Sequence, residues 1–143
     1  MRYLGLDLGT KTCGVAISDR SNTLASPVEV IRFKFEDYES IIPRLKEIIE
    51  EKNITHIALG YPKNMDNSEG FAAERSLKFK KMLESNFEVE VILIDERLTT
   101  TEAENILIGM DKSREQRKRV IDGVSAVLIL ESFIEERKLK DGE

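Results

Sequence analysis

One cysteine, one histidine and no tryptophan stand in a chain of 143 residues, and each scarcity closes off a class of chemistry. Cys13 alone excludes an internal disulfide and any cysteine-based zinc cluster. His56 alone excludes a mixed cysteine–histidine metal site and leaves little for a histidine-centred triad. Any catalysis by this chain is therefore expected to run on carboxylates. Aromatic residues make up 6%, too few to suggest a platform for base stacking, so a nucleic-acid partner would be read through its backbone or shape. No apolar run approaches the roughly 20 residues of a membrane span, and no membrane partner is expected. The N-terminus enters a strand-like segment at Tyr3 without a basic leader, an apolar stretch or a cleavage site, so no signal peptide is expected and the default location is cytoplasmic. Repeats, low-complexity stretches and linker-like segments are absent.

What is present suits one folded domain over 1–143, long enough to bury a full core. Hydrophobic residues make up 41% and charged residues 34%. Acidic residues outnumber basic ones, 27 to 22, for a formal net charge of −5. That balance argues weakly against nucleic acid, because phosphate binding draws on lysine and arginine. A local basic patch overrides a net count, so the distribution matters more than the total.

The first third reads as β structure. Tyr3–Leu8 alternates, with Leu4, Leu6 and Leu8 on one face and Tyr3, Gly5 and Asp7 on the other. Gly9–Thr12 is turn material, Cys13–Ser18 alternates again, Asp19–Asn22 is a second turn, and Leu24–Phe33 is a third strand broken near Pro27. Short turns between three strands predict an antiparallel meander. Helical spacing of Ile41, Ile42, Leu45, Ile48 and Ile49 predicts a helix over Tyr38–Glu51. A strand over Ile54–Leu59, a loop over Gly60–Asn67, a helix over Ser68–Ser85 and a strand over Glu88–Ile94 follow. Two helices, Thr99–Ile108 and Ser113–Arg137, complete the chain, the second opening on a Ser113/Gln116 capping box. The fold class is α/β: a mixed central sheet, meander first and α/β crossovers after, flanked by helices.

Carboxylates at three places depart from this pattern. Aspartate is depleted in strand interiors, and a buried carboxylate is costly unless paired or holding a metal, so Asp7 is a candidate ligand. Gly5 on the same face would let a ligand approach closely. Bonding of Asp7 to the amides of the Gly9–Thr12 turn is the structural alternative. Asp95 and Glu96 end an apolar strand, where open α/β sheets place their ligand sites. Adjacent strand residues face opposite ways, so one of the two reaches a shared site and alternation leaves open which. Asp122 lies inside the last helix, with small Ser125 and Ala126 one turn on and Lys118 and Arg119 one turn back. That setting suits metal and phosphate together, or an ordinary ion pair with Lys118. An oxygen-only donor set favours magnesium or manganese. Gly9-Thr10-Lys11-Thr12 lacks the spacing of a P-loop, although its amides could meet a phosphate. Basic runs at Arg114, Arg117, Lys118 and Arg119, and at Arg75, Lys78, Lys80 and Lys81, are either solvated helix faces or phosphate contacts. Cys13 and His56 read as packing or capping residues.

Four segments then carry a resemblance: Leu6-Asp7-Leu8-Gly9-Thr10-Lys11-Thr12, Gly60-Tyr61-Pro62-Lys63-Asn64-Met65-Asp66, Asp95-Glu96-Arg97-Leu98-Thr99-Thr100 and Lys118-Arg119-Val120-Ile121-Asp122. In this order and spacing, over nearly the whole chain, they resemble the YqgF family, also called RuvX. The resemblance implies an RNase H-like fold related to the RuvC resolvases, with magnesium- or manganese-dependent phosphodiester hydrolysis. It matches Asp7, Glu96 and Asp122 to the family's catalytic and metal-binding carboxylates, and so selects Glu96 over Asp95. Lys11, Arg97, Lys118 and Arg119 would then steer or clamp phosphates, while the loop Pro62–Asp66, with Arg97 and Thr99, is similar to the family's site rim. Asn67 stands where the family loop often has glycine, and asparagine tolerates the same left-handed geometry. The implied substrate is structured RNA, the 5′ end of the 16S rRNA precursor, with a four-way DNA junction as the alternative. A resolvase would act as a homodimer and a trimming nuclease could act as a monomer. Two other classes compete. Asp7–Lys11 resembles the first phosphate loop of actin-like ATPases and sugar kinases, but those need two such domains and this chain has room for one. A non-catalytic RNA-binding factor in ribosome maturation or transcription agrees with the acidic net charge and disagrees with the carboxylate set.

Overall fold

The computed structural model describes residues 2–61, 71–95 and 114–141, the side chains at 71, 72, 114–123 and 139–141 apart. Strands β1 (Arg2–Leu8), β2 (Thr12–Ser18) and β3 (Ala25–Arg32) come first, followed by a 3-10 turn (Tyr38–Ile41) running into helix α1 (Ile42–Lys52). Strand β4 (Ile54–Tyr61), helix α2 (Phe71–Asn86), strand β5 (Glu90–Asp95) and helix α3 (Arg114–Asp141) complete the described elements. The five strands form one sheet in the order β3-β2-β1-β4-β5. The meander β1-β2-β3 is antiparallel, and β4 and β5 add parallel to β1, which makes β1 the central strand. The expected mixed sheet is the one observed. The loop Pro62–Asn67, the helix Thr99–Ile108 and Ser113 of the capping box lie outside the described residues.

Two local departures from the expected elements have simple causes. Opposite β3, Val15 pairs with Glu29 and Ala16 with Pro27, leaving Val28 as an extra residue in a bulge. Since β3 is an edge strand, Pro27 and the bulge are tolerated where a central strand would lose ladder bonds. The helix expected from Tyr38 instead begins with the 3-10 turn, and the α-helix starts at Ile42 with Pro43 in its first turn, where the missing amide has no intrahelical partner to lose. It ends at Asn53, whose φ of 54° and ψ of 51° form a left-handed cap with its amide on the Ile49 carbonyl.

Alternation along β1 sends its residues into two separate cores. Leu4, Leu6 and Leu8 join Cys13, Val15, Ile57 and Leu59, covered by Ile41, Leu45, Ile48, Phe79 and Leu83 from the 3-10 turn, α1 and α2. On the other face Tyr3 joins Ala16, Ala58 and Ile94 beneath Ala126, Ile129, Leu130, Phe133 and Ile134 of α3. Where α3 crosses the central strand, this second face is built from small residues, Gly5, Ala16 and Ala58 below Ala126. A Cβ placed on Gly5 would lie 2.7 Å from both the Ala126 carbonyl oxygen and the Leu130 Cβ, so only glycine lets α3 cross β1 this closely. Gly5 therefore serves helix packing, and the expected approach of a ligand at that position is corrected: its space is filled by α3.

Candidate active site at one end of the sheet

Asp7 is half-buried near the C-terminal end of the central strand, on the face that α3 crosses. Directly opposite on β2 stands Gly14, with no side chain to crowd the carboxylate. Alternation along β2 does not single out Gly14, though an isolated glycine inside a strand is the usual mark of close approach. Helix α3 runs antiparallel to β1: Tyr3 meets Phe133 at 5.0 Å between ring centroids, and Gly5 meets Ala126 and Leu130. Two residues further along β1 is Asp7, and one turn back along α3 from Ala126 is position 122. The two steps have similar lengths, about 6.6 Å along a strand and about 6 Å along a helix. Position 122 also shares the helical stripe of Ala126, Ile129 and Phe133. Ser125, 2% exposed, and fully buried Ala126 supply the small surface expected beside it.

Strand register separates the two candidates at the end of β5. Asp95 pairs with Tyr61 and alternates with Ile94, whose side chain lies in the core under α3. Asp95 thus belongs to the opposite face from Asp7. Glu96 and Arg97 lie outside the described residues, as does the rim loop Pro62–Asp66 with Thr99. Lys118, Arg119 and Asp122 belong to α3 by backbone, and their side chains are not described. Lys11 is exposed on the β1–β2 turn, which is held by hydrogen bonds from the Gly9 amide to the Thr12 carbonyl (2.7 Å), Phe33 to Lys11 (2.9 Å) and Glu36 to Thr10 (2.8 Å). Among the described residues no group of three histidine, cysteine, aspartate or glutamate side chains is placed to hold a metal ion.

The remaining candidates fall away from this end or this face. Cys13 is fully buried in the core under α1 and α2, and burial together with the negative charge of Asp7 holds its thiol far above the ordinary range. A neutral, enclosed thiol is neither nucleophile nor ligand. His56 sits near the start of β4, where its Nδ1 is 2.8 Å from Thr55 Oγ1, its Nε2 3.1 Å from Glu90 Oε2, and its ring stacks edgewise on Tyr3. Both residues are structural, as expected. On α2, Lys78 and Lys81 are exposed and Arg75 and Lys80 half-buried. No described helix is long and apolar enough to cross a membrane.

A family model described as "RuvX: Holliday junction resolvase" matches residues 1–136. A protein of Geobacillus sp. (strain WCH70) is 49% identical over 138 residues, covering 96% of this chain and all of the relative. One of Bacillus subtilis (strain 168) is 47% identical over 135 residues, covering 94% and 98%. Both carry the name "Putative pre-16S rRNA nuclease". Among solved structures, Thermus thermophilus RuvC in complex with a Holliday junction substrate superposes with a TM-score of 0.61 at 13% identity, over 96% of this chain and 95% of that one. The Fowlpox virus resolvase bound to Holliday junction DNA gives 0.58 at 13% identity, over 96% and 99%. The expected RNase H-like fold is the observed one.

Proposed function

Because the chain belongs to the RuvX (YqgF) family, we propose that it is a metal-dependent endonuclease that hydrolyses nucleic-acid phosphodiester bonds, with the 5′ end of the 16S rRNA precursor as substrate. The observation that carries the reading is the placement of Asp7: a half-buried carboxylate at the end of the central strand, opposite Gly14 and on the face crossed by α3. Glu96 and Asp122 complete the set. Register supports Glu96, since Asp95 belongs to the other face. Helical phase supports Asp122, one turn from the contact of Ala126 with Gly5.

The donor set fits a hard divalent cation. Cys13 is enclosed on the far side of the sheet and His56 sits at its other end, so the groups available to a metal are carboxylate oxygens. Magnesium or manganese, when bound there, supplies an activated water and charge stabilisation at the leaving oxygen. The protein's part is to present Asp7, Glu96 and Asp122 as anionic ligands from three separate segments of the chain. Lys11, Arg97, Lys118 and Arg119 bind and orient the phosphates on either side of the scissile bond. Lys11 is suited to this by exposure on a turn whose backbone is tied down at both flanks.

The family model's description favours a second substrate, a four-way DNA junction, on the same residues. Purified protein and its Asp7→Ala variant, incubated with manganese or magnesium, separate the two. Metal-dependent cutting of a 5′-extended rRNA precursor, lost in the variant, supports the maturation nuclease. Paired symmetric cuts in a junction support the resolvase. Tight RNA binding with no cleavage of either overturns the nuclease reading in favour of a binding factor.

A further inference from the structure

We propose that the end of the molecule remote from Asp7 is a second contact for the nucleic-acid backbone, formed around the β2–β3 turn by Arg2, Arg20 and Lys52. The inference rests on the nuclease reading and extends it: the substrate is a strand or duplex long enough to reach both ends of the sheet. A cleft of about 290 Å³ is lined, among the described residues, by Arg2, Arg20, Lys52 and Asn53, three cations and no carboxylate. In a chain of net charge −5 such a concentration is not expected by chance packing, since like charges brought together repel. Folding gathers them from the start of β1, the turn after β2 and the end of α1, where the left-handed cap at Asn53 turns the chain into β4.

The cleft is held open by its surroundings. Arg2 donates from Nε to the Ser18 carbonyl at 3.0 Å, and its amide donates to the Asn53 carbonyl at 3.2 Å, which fixes one wall. Among the described residues, Asp19 and Glu51 lie close by and neither closes it. Asp19 is turned into its own loop, accepting from the Thr23 amide (2.8 Å), the Thr23 hydroxyl (3.1 Å) and the Leu24 amide (3.3 Å). Glu51 pairs loosely with Lys52 at 3.6 Å, with both side chains largely exposed, so a phosphate could displace it. On the other side of the same turn, a hollow of about 400 Å³ is lined by Ser21, Asn22 and Thr23 together with Arg137 and Lys138 of α3, over a floor that includes Tyr3 and Ile134. Hydroxyl and amide groups beside cations are the usual equipment for phosphate oxygens. Five residues along β1 separate Arg2 from Asp7, roughly 17 Å, so one backbone cannot satisfy both ends with a single phosphate. The occupant that fits is a polyanion with regularly spaced phosphates.

The test compares wild-type protein with an Arg20→Gln/Lys52→Gln variant, whose two side chains are exposed. A triple variant adding Arg2→Gln is measured alongside, with a thermal melt because Arg2 is bonded to Ser18. Binding is measured by fluorescence anisotropy in chelator, against a long RNA duplex and a short one, over a range of salt. The double variant is expected to bind the long duplex more weakly whatever its sequence, with the slope of log affinity against log salt reduced by about 2. Binding of the short duplex, and metal-dependent cleavage of short substrates at the Asp7 end, should stay as in wild type. Unchanged affinity and slope for the long duplex, with wild type binding it, overturns the inference while sparing the nuclease reading. Absence of RNA binding by wild type overturns both. Loss confined to inorganic phosphate, with RNA binding intact, also overturns it by reducing the cleft to a small-anion site.

Discussion

The two faces of the sheet are packed by opposite means. Under α1 and α2 the core is thick: Leu4, Leu6, Ile57, Leu59, Leu45, Phe79 and Leu83 interlock with almost no exposure. Under α3 it is thin where the helix crosses the central strand: Gly5, Ala16 and Ala58 below, Ser125 and Ala126 above. Large apolar side chains maximise buried area and hold the fold. Small ones let a helix backbone approach within van der Waals contact of a strand, which brings polar groups on helix and strand into reach of one another. Asp7 occurs on the thin face, at the point where these small residues give way to Gly14. The packed core and the proposed metal site thereby fall on different sides of one strand, and alternation in a seven-residue segment is enough to separate them.

Substitutions on the two faces should therefore fail differently. Phe79→Ala, at a side chain 1% exposed in the thick core, should lower unfolding free energy by about 3–5 kcal/mol, leaving manganese affinity of the remaining folded protein unchanged. Chemical denaturation and metal titration of the same preparation check both halves. Gly5→Ala should lose less stability, about 1–3 kcal/mol, because the added methyl meets the Ala126 carbonyl and Leu130 Cβ at 2.7 Å and α3 must shift. Its cleavage rate should fall further than its folded fraction, since α3 carries Asp122. If activity merely tracks the folded fraction, the division between the faces is wrong.

A pH series sharpens the comparison through Cys13. Its thiol is raised in the folded state by burial and by Asp7, so the native protein binds this proton more tightly than the unfolded chain does. Stability from this group is complete below the ordinary thiol value of about 8.5 and declines as pH rises above it. Cys13→Ala should flatten the decline in unfolding free energy above that pH relative to wild type. An equal slope in both proteins would mean that the thiol does not titrate on unfolding. The smallest effect is expected at Tyr38→Phe. Among the described residues the buried Tyr38 hydroxyl has no hydrogen-bond partner, so removing it should change stability by no more than about 0.5 kcal/mol and in the stabilising direction. A clear loss in the melt would show that the hydroxyl has a partner.

Much of this was legible in the chain because the signals are local. Strict alternation placed Tyr3–Leu8 and Cys13–Ser18 within a residue of β1 and β2, and it also divided Leu4, Leu6 and Leu8 from Asp7. Small Ser125 and Ala126 marked the close crossing of α3. The 3-10 start at Tyr38 escaped because its apolar spacing is the same as that of the helix it joins, and the bulge at Val28 showed only as a proline in a strand. Alternation alone could not tell Asp95 from Glu96; the resemblance selected Glu96, and the β4–β5 register independently puts Asp95 on the face away from Asp7. The basic cleft was invisible for a different reason. Arg2, Arg20 and Lys52 are scattered along the sequence, whereas the runs at Lys78–Lys81 and Arg117–Arg119 draw attention by adjacency alone.

The most direct test of the central claim is calorimetric titration of manganese into wild type and Asp7→Asn, with thermal melts of both. The account predicts that wild type binds the ion and that the variant loses most of that affinity with its fold intact. Equal manganese affinity in the two proteins would contradict it, and would take the metal site away from the thin face.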